Sequence, residues 1–359
     1  MTNPTLQLDG EVLLQQLQLL GEIGADPEHG GRSRIALTDA DRAGRDALVQ
    51  WMRDLDLEVR IDQIGNVFGI LATADGNADE GALMIGSHID SVRNAGALDG
   101  CYGVLAGLAV VRAYRQAGLR PARAIVVAAF TNEEGVRYQP DMMGSLVYVG
   151  GMDVQAALNT VGTDGTRLGD ELARIGYAGD MVPGAIVPRE YIELHIEQGP
   201  VLEAEGKLIG VVESLQGISW QKVTITGVAN HAGTTPTRLR HDAGYAAAAC
   251  VAFLREQVVG AAPETTLATV GSLRLEPDLI HVTPRKATST VDLRDPRDQR
   301  DLAESDVEHG GSGRAARLRR AGSGFDALGL GAVGAGVGMR GIGLELRRIL
   351  VVAFLHALA

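Results

Sequence analysis

Two apolar runs, ALMIGSHID at residues 82–90 and AIVVAAFTNEEG at 124–135, each end in imidazole or carboxylate side chains. Short continuous apolar runs closed by polar residues read as buried strands rather than surface helices. Between them, DGCYGVLAGLAVVRAYRQAG carries a helical period with small residues on one side. Strands alternating with helices indicate an α/β sheet covered on both faces, and in such sheets ligands gather at the strands' carboxyl ends. Both polar clusters fall at those ends. The expected fold class is therefore α/β, a twisted mixed sheet flanked by helices.

The flanking text fits this frame. ADRAGRDALVQWMRDLD has the 3.6-residue period of an exposed helix, and LEVRIDQIGNVFGIL reads as a strand pair broken at Gly65-Asn66. The opening MTNPTLQLDGEVLLQQLQLLGEIG lacks a basic leader before an apolar run and reads as an amphipathic surface helix. The closing RRILVVAFLHALA falls short of the roughly 20 apolar residues a bilayer requires. From about Val211 the pattern becomes β-β-α-β-β, with an Ala-rich helix from Asp242 to about Val259, so an inserted α+β domain is expected. The boundaries are 1–211 for the first domain, 212–304 for the inserted domain and 305–359 for an atypical C-terminal segment. That last segment is dominated by Gly, Ala and Arg, a texture that weakens helices and strands alike. It matches GC-rich coding sequence read out of frame, a reading that resequencing of the gene would test; a flexible tail is the alternative.

Composition excludes more than it selects. A formal charge of −12 opposes nucleic-acid binding, which needs Lys and Arg to displace counterions from phosphates. No membrane role is expected either. Two cysteines, Cys101 and Cys250, imply no disulfide framework and fit a reducing cytoplasm.

The chemistry-bearing residues lie in four segments. GSHIDSVRNAGALDG holds His88, Asp90 and Asp99, donor types that zinc accepts. Asp90 stands where its carboxylate could hold the second nitrogen of His88. Asp99, taken alone, reads first as a helix N-cap. FTNEEG holds Glu133 and Glu134, adjacent carboxylates whose repulsion calls for a cation or a proton. ELHIEQGPVLE places His195 in an alternating strand with Glu197 on its face and Gln198 at its end, and GVANHAGTTP places His231 in a Gly-rich loop. Each segment by itself also has an ordinary structural explanation.

Taken together, GSHIDSV with ALDGCYGVLAG, TNEEGVRYQPDMMGS, ELHIEQGPVLE and GVANHAGTTP resemble the hydantoinase/carbamoylase amidases. This branch of the zinc aminoacylase and carboxypeptidase superfamily includes N-carbamoyl-L-amino-acid hydrolases, beta-ureidopropionases and allantoate amidohydrolases. The resemblance runs from near the N-terminus to about Arg300. It implies a zinc-exopeptidase-like catalytic domain with an inserted lid and dimerisation domain, a homodimer, and a small ureido or carbamoyl substrate. It also implies two divalent metal ions per subunit, zinc foremost, with manganese, cobalt and nickel compatible. His88 and His195 are then ligands to separate metals, Asp99 the bridging carboxylate, Glu134 a further ligand and Glu133 the general base. Gln198, His231 and Arg294 match substrate-contacting positions, and His281 stands where the family usually has Asn. The family's last metal-binding His has no match here, since His309 and His356 lie in foreign contexts, so one metal is expected to be weak or absent. A zinc deacylase or peptidase of the wider superfamily, and an inactive ligand-binding relative, are the rival readings.

Overall fold

The computed structural model describes residues 6–73, 80–212, 216–261, 265–295 and 349–354. These residues fall into two compact units, one running to Val212 and including the 349–354 strand, the other built from the residues between.

In the first unit, α1 (Gly10–Glu22) and α2 (Asp39–Asp54) are the amphipathic helices expected from their periods. Asp9 and Thr38 cap them, each side chain accepting a backbone N–H that the helix leaves unpaired. The strand pair broken at Gly65 forms as β1 (Glu58–Ile61) and β2 (Val67–Leu71), paired antiparallel. Then follow β3 (Glu80–His88), α3 (Cys101–Gln116) and β4 (Ile125–Phe130). Three short helices, α4 (Met143–Tyr148), α5 (Val154–Leu158) and α6 (Leu168–Ile175), lead to β5 (Val187–Ile196). A single turn, α7 (Val201–Ala204), precedes β6 (Ile209–Val211).

Alternation along the strands explains the two-sided core. Val67 and Leu71 pack with α1, α2 and α3 through Leu17, Leu48, Met52, Val104 and Leu108, while Phe68 and Ile70 join Met84, Val126 and Phe130 on the other face. Gly69 lets α2 approach, because a Cβ there would lie 2.8 Å from Met52 Sδ. Gly103 does the same for α3, where a Cβ would meet Leu194 O at 2.6 Å. The small residues that the sequence placed along 99–118 are thus contact points of helix with sheet.

In the second unit, β7 (Gly217–Thr226) and β8 (Asn230–His231) precede α8 (Ala243–Phe253), which Asp242 caps and a π-helical stretch, Leu254–Val259, extends. The strands β9 (Leu267–Glu276), β10 (Val282–Thr283) and β11 (Lys286–Asp295) complete it. The order β7-β11-β9 is antiparallel, with β8 and β10 paired separately. Ala243 and Ala247 of α8 pack on Ala287, so small side chains bring this helix close to its sheet. The strand pair expected across 211–230 is distributed differently. Ile209–Val211 belongs to the first unit's sheet, and only Gly217–Thr226 and Asn230–His231 belong to the second.

Ile349–Phe354 is β12, parallel to β5 and antiparallel to β6. The first sheet therefore runs β1-β2-β4-β3-β5-β12-β6, with β4, β3, β5 and β12 parallel. This is the mixed α/β sheet expected. His309 and His356 lie outside the described residues. Among the described residues no helix is long and apolar enough to cross a membrane.

Candidate metal centre

The parallel strands β3, β4 and β5 end side by side, and the acid and imidazole groups meet there. His88 is the last residue of β3 and is paired in register with Phe130, the last of β4. Glu133 and Glu134 follow in the loop after Phe130, and His195 is next to the end of β5. Asp99 arrives from the loop before α3. The sequence left open a capping role for it, and the structure gives α3 Gly100 as N-cap with no side-chain cap bond. The His88, Asp99 and His195 donor atoms lie within 4.8 Å of one another, as do those of His88, Glu133 and Glu134.

The protonation of the two rings follows from their second nitrogens. His88 Nδ1 lies 2.9 Å from Asp90 O, and His195 Nδ1 lies 2.7 Å from Ile196 O. A carbonyl oxygen only accepts, so each Nδ1 holds the donated proton and each Nε2 of a neutral ring presents a lone pair. Those lone pairs face carboxylates. His195 Nε2 is 3.1 Å from Asp99 Oδ1, and His88 Nε2 is 3.8 Å from the same atom and 3.4 Å from Glu133 Oε2. Among the described residues, buried Asp99 Oδ1 accepts no well-aligned hydrogen bond, while its Oδ2 accepts one from Gln198 Nε2. Lone pair against carboxylate is repulsive until positive charge comes between them, and the donor set of imidazole and carboxylate suits a divalent cation.

In the metal-free chain protons supply part of that positive charge. A hydrogen bond to Asp99, which accepts from the protonated ring, is the main reason that His195 is pushed up to about 9, against the opposing effect of burial. Burial, with Asp99, Glu133 and Asp90 nearby, outweighs the attraction of His88 and pushes Glu134 up to about 7. Burial is also the largest cause raising Glu133, with His88 opposing and Asp90, Glu193 and Asp99 adding to it. Raised folded-state values mean that the native chain holds extra protons, so this stability is complete at low pH and drains away as pH rises. For Glu134 the loss runs from its ordinary range through about 7, and for His195 from about 6.5 through 9. The melting temperature of chelator-treated protein is accordingly expected to fall between pH 5 and pH 9, and saturating zinc to flatten that fall. A zinc-free melting temperature that rises over the same range would contradict this account.

Asp90 acts differently from the sequence expectation. Its backbone oxygen, not its carboxylate, takes the His88 Nδ1 proton, and Asp90 Oδ1 stands 3.7 Å from that nitrogen. Its two carboxylate oxygens instead accept the N–H groups of Glu133 and Glu134, each at 3.2 Å, and so fix the loop that presents both glutamates. Asn132, at φ 54°, turns that loop, and its amide donates to Tyr138 O and Pro140 O. Glu197 also departs from expectation, accepting from Val201 N and Leu202 N at the start of α7.

The remaining candidates separate by unit. Gln198 is in the first unit, at φ 55° just beyond β5, bonded to Asp99. His231, His281 and Arg294 are in the second. His231 and His281 are neighbours, because Ala232 N donates to His281 O and Val282 pairs with His231. Arg294 sits near the far end of β11, ion-paired with Asp292 at 3.1 Å. At about 3.4 Å per residue, it stands roughly 27 Å along β11 from Lys286, whose pairing with Thr226 marks the strand end from which the chain leads to His281 and His231.

Sequence reasoning missed two residues. Gly100, at φ 63°, has a Cα so close to His88 that an added Cβ would lie 2.5 Å from ring atoms Cδ2 and Nε2. The glycine after Asp99 was the available signal. Glu193 shares the face of His195 by strand alternation, which the motif ELHIE displays. Its oxygens accept from Ser87 Oγ at 2.6 Å and Tyr191 OH at 2.7 Å.

Comparison with known proteins agrees with this geometry. Residues 84–293 match the model of peptidase family M20/M25/M40. The N-carbamoyl-L-amino acid amidohydrolase of Geobacillus stearothermophilus is 38% identical over 292 residues, covering 80% of this chain and 70% of the relative. The ureidoglycolate hydrolase of Arabidopsis thaliana is 33% identical over 300 residues, covering 81% of this chain and 62% of the relative. Among solved structures, a hydantoinase/carbamoylase family amidase from Burkholderia multivorans superposes with TM-score 0.76 at 39% identity, over 92% of this chain and 77% of that one. With its sheet, its clustered His and acid donors and these relatives, the chain belongs to peptidase family M20/M25/M40 and, within it, to the hydantoinase/carbamoylase amidases.

Proposed function

We propose that this chain is a metal-dependent amidohydrolase that cleaves the carbamoyl C–N bond of N-carbamoyl-L-amino acids or related ureido compounds. One observation carries the reading: an orphaned, buried Asp99 oxygen faces the Nε2 atoms of two histidines, with Glu133 beside one of them. The relatives named for N-carbamoyl amino acids and ureidoglycolate supply the substrate class.

In this reading His88, Asp99, Glu134 and His195 hold divalent metal, with zinc taken first among the metals these donors accept. Such ions, when bound, supply Lewis acidity that polarises a carbonyl and makes water a nucleophile at neutral pH. Glu133 takes the proton of the attacking water and returns it to the leaving nitrogen. Two features support this division of roles between the paired glutamates. Glu134 Oε1 accepts from the Val92 N–H at 3.2 Å, which suits a ligand, whereas the Glu133 carboxylate accepts no hydrogen bond among the described residues and stands 3.4 Å from His88 Nε2. Gln198, bonded to Asp99, is taken as the residue that contacts the ureido end. Hydrolysis adds one water to R–NH–CO–NH₂ and releases the amine, with carbamate breaking down to ammonia and carbon dioxide.

His231, His281 and Arg294 are the substrate contacts proposed in the second unit, His231 for the developing oxyanion and Arg294 for the substrate carboxylate. A small substrate that touched all three would draw them from two copies, given the length of β11 between them. That supports a homodimer. The two cysteines, both free, fit a reducing cytoplasm.

Turnover of an N-carbamoyl amino acid, an N-acetyl amino acid and a dipeptide, measured beside zinc content, tests the proposal. The carbamoyl substrate is expected to be preferred, activity to vanish on chelation, and zinc to stay below two per chain because no match to the family's last His is present. Preference for the dipeptide would transfer the chain to the peptidase reading.

A further inference from the structure

Glu193 has no part in the mechanism above, yet it is built into the same strand ends. β5 alternation puts Tyr191, Glu193 and His195 on one face. Glu193 Oε1 accepts from Ser87, the residue before His88 on β3, and Oε2 accepts from Tyr191. Ser87 is buried, and the Tyr191 ring packs on Phe130, at 6.2 Å between centroids, where β4 ends before the glutamate loop. One carboxylate thus ties together the ends of β3, β4 and β5. Burial holds the Tyr191 phenol well above its ordinary range, so it stays a donor.

The two anchors are neutral hydroxyls, and among the described residues no cationic side chain is paired with Glu193. A half-buried negative charge without a partner costs stability unless positive charge is near. Its place reaches the site, since it stands two residues from His195 on the same face of β5 and is bonded to Ser87, the neighbour of His88. Support of metal ligands by charged groups behind them is general, and loss of such a group weakens metal binding about 10- to 100-fold.

We propose that Glu193 is a positioning residue of the cation site, held by Ser87 and Tyr191 so that its unpaired negative charge stabilises divalent metal at His88 and His195. The inference rests on the metal-site reading above. Its signature is a pair of opposite effects. E193Q keeps the size and can keep both hydroxyl contacts, because each hydroxyl can turn to donate or accept. Only the charge is lost.

The test is a zinc titration of the full chain against a chromophoric chelator, together with thermal unfolding of the zinc-free protein. E193Q is expected to raise the zinc Kd about tenfold while leaving the zinc-free melting temperature equal to or above that of the parent. A lowered zinc-free melting temperature with unchanged zinc affinity would reduce Glu193 to a packing element. Should E193Q give no cooperative zinc-free transition, E193D decides, since it keeps the charge but shortens the reach. Zinc affinity within about threefold of the parent is expected there, and a loss of about tenfold would overturn the proposal. A parent chain that binds no zinc would instead refute the metal-site reading itself.

Discussion

Glu133→Gln is expected to lower kcat on an N-carbamoyl amino acid by about 10²- to 10⁴-fold, the span of positioned proton transfer. Zinc content and KM should stay near those of the parent. The amide is nearly isosteric but cannot accept a proton at neutral pH, so the substitution removes the transfer and little else. Glu133 lies 3.4 Å from His88 Nε2 and is pushed above the ordinary carboxylate range chiefly by burial, which suits a group that must take up a proton. Glu134→Gln is the necessary companion. Its carboxylate is pinned by Val92 N–H, and its loss should reduce zinc content as well as turnover. If E133Q instead lost zinc and E134Q kept it, the two roles would be exchanged.

The second large effect is expected at a residue with no side chain. Gly100→Ala should cost both stability and zinc binding. The conformation at φ 63°, ψ −48° disfavours any Cβ, a strain of roughly 1–3 kcal/mol. In addition, the new methyl would stand 2.5 Å from His88 Cδ2 and Nε2. His88 is 2% exposed and has nowhere to retreat, so its ring must tilt and its Nε2 must leave the direction of Asp99 and Glu133. A weakening of zinc binding by at least about tenfold is expected, with a melting temperature lowered by several degrees. Gly96→Ala, in the same loop with nothing within 4 Å of its added Cβ, is the control and should be silent. Equal behaviour of the two variants would mean that the loop yields freely and that Gly100 does not hold His88 in place.

Both predictions concern places where the sequence was legible in kind but not in detail. Strand ends carrying His88 and Glu133-Glu134 could be read because buried strands are written as uninterrupted apolar runs, and their polar termini stand out. The Asp90 contact could not. The sequence offered its carboxylate to His88, whereas the chain turns so that its carbonyl fills that place and its carboxylate caps the glutamate loop. Such a choice depends on loop torsions, which spacing alone does not encode. Glu197 misled for a related reason. Its parity with His195 suggested the same face of the strand, but β5 ends at Ile196, and past that point alternation no longer decides where a side chain goes. Its carboxylate meets the free N–H groups of the next turn instead.

By itself the sequence determined the class of sheet, the order of its elements and the chemical types gathered at one edge. Those follow from periodicity, and periodicity is a local property. Tertiary structure decided which nitrogen of each histidine faces the carboxylates, that Gly100 presses on the His88 ring, and that Glu193 is anchored from two strands. Each of these depends on atoms brought together across as many as 106 positions of chain, as with Ser87 and Glu193, and only packing sets such distances.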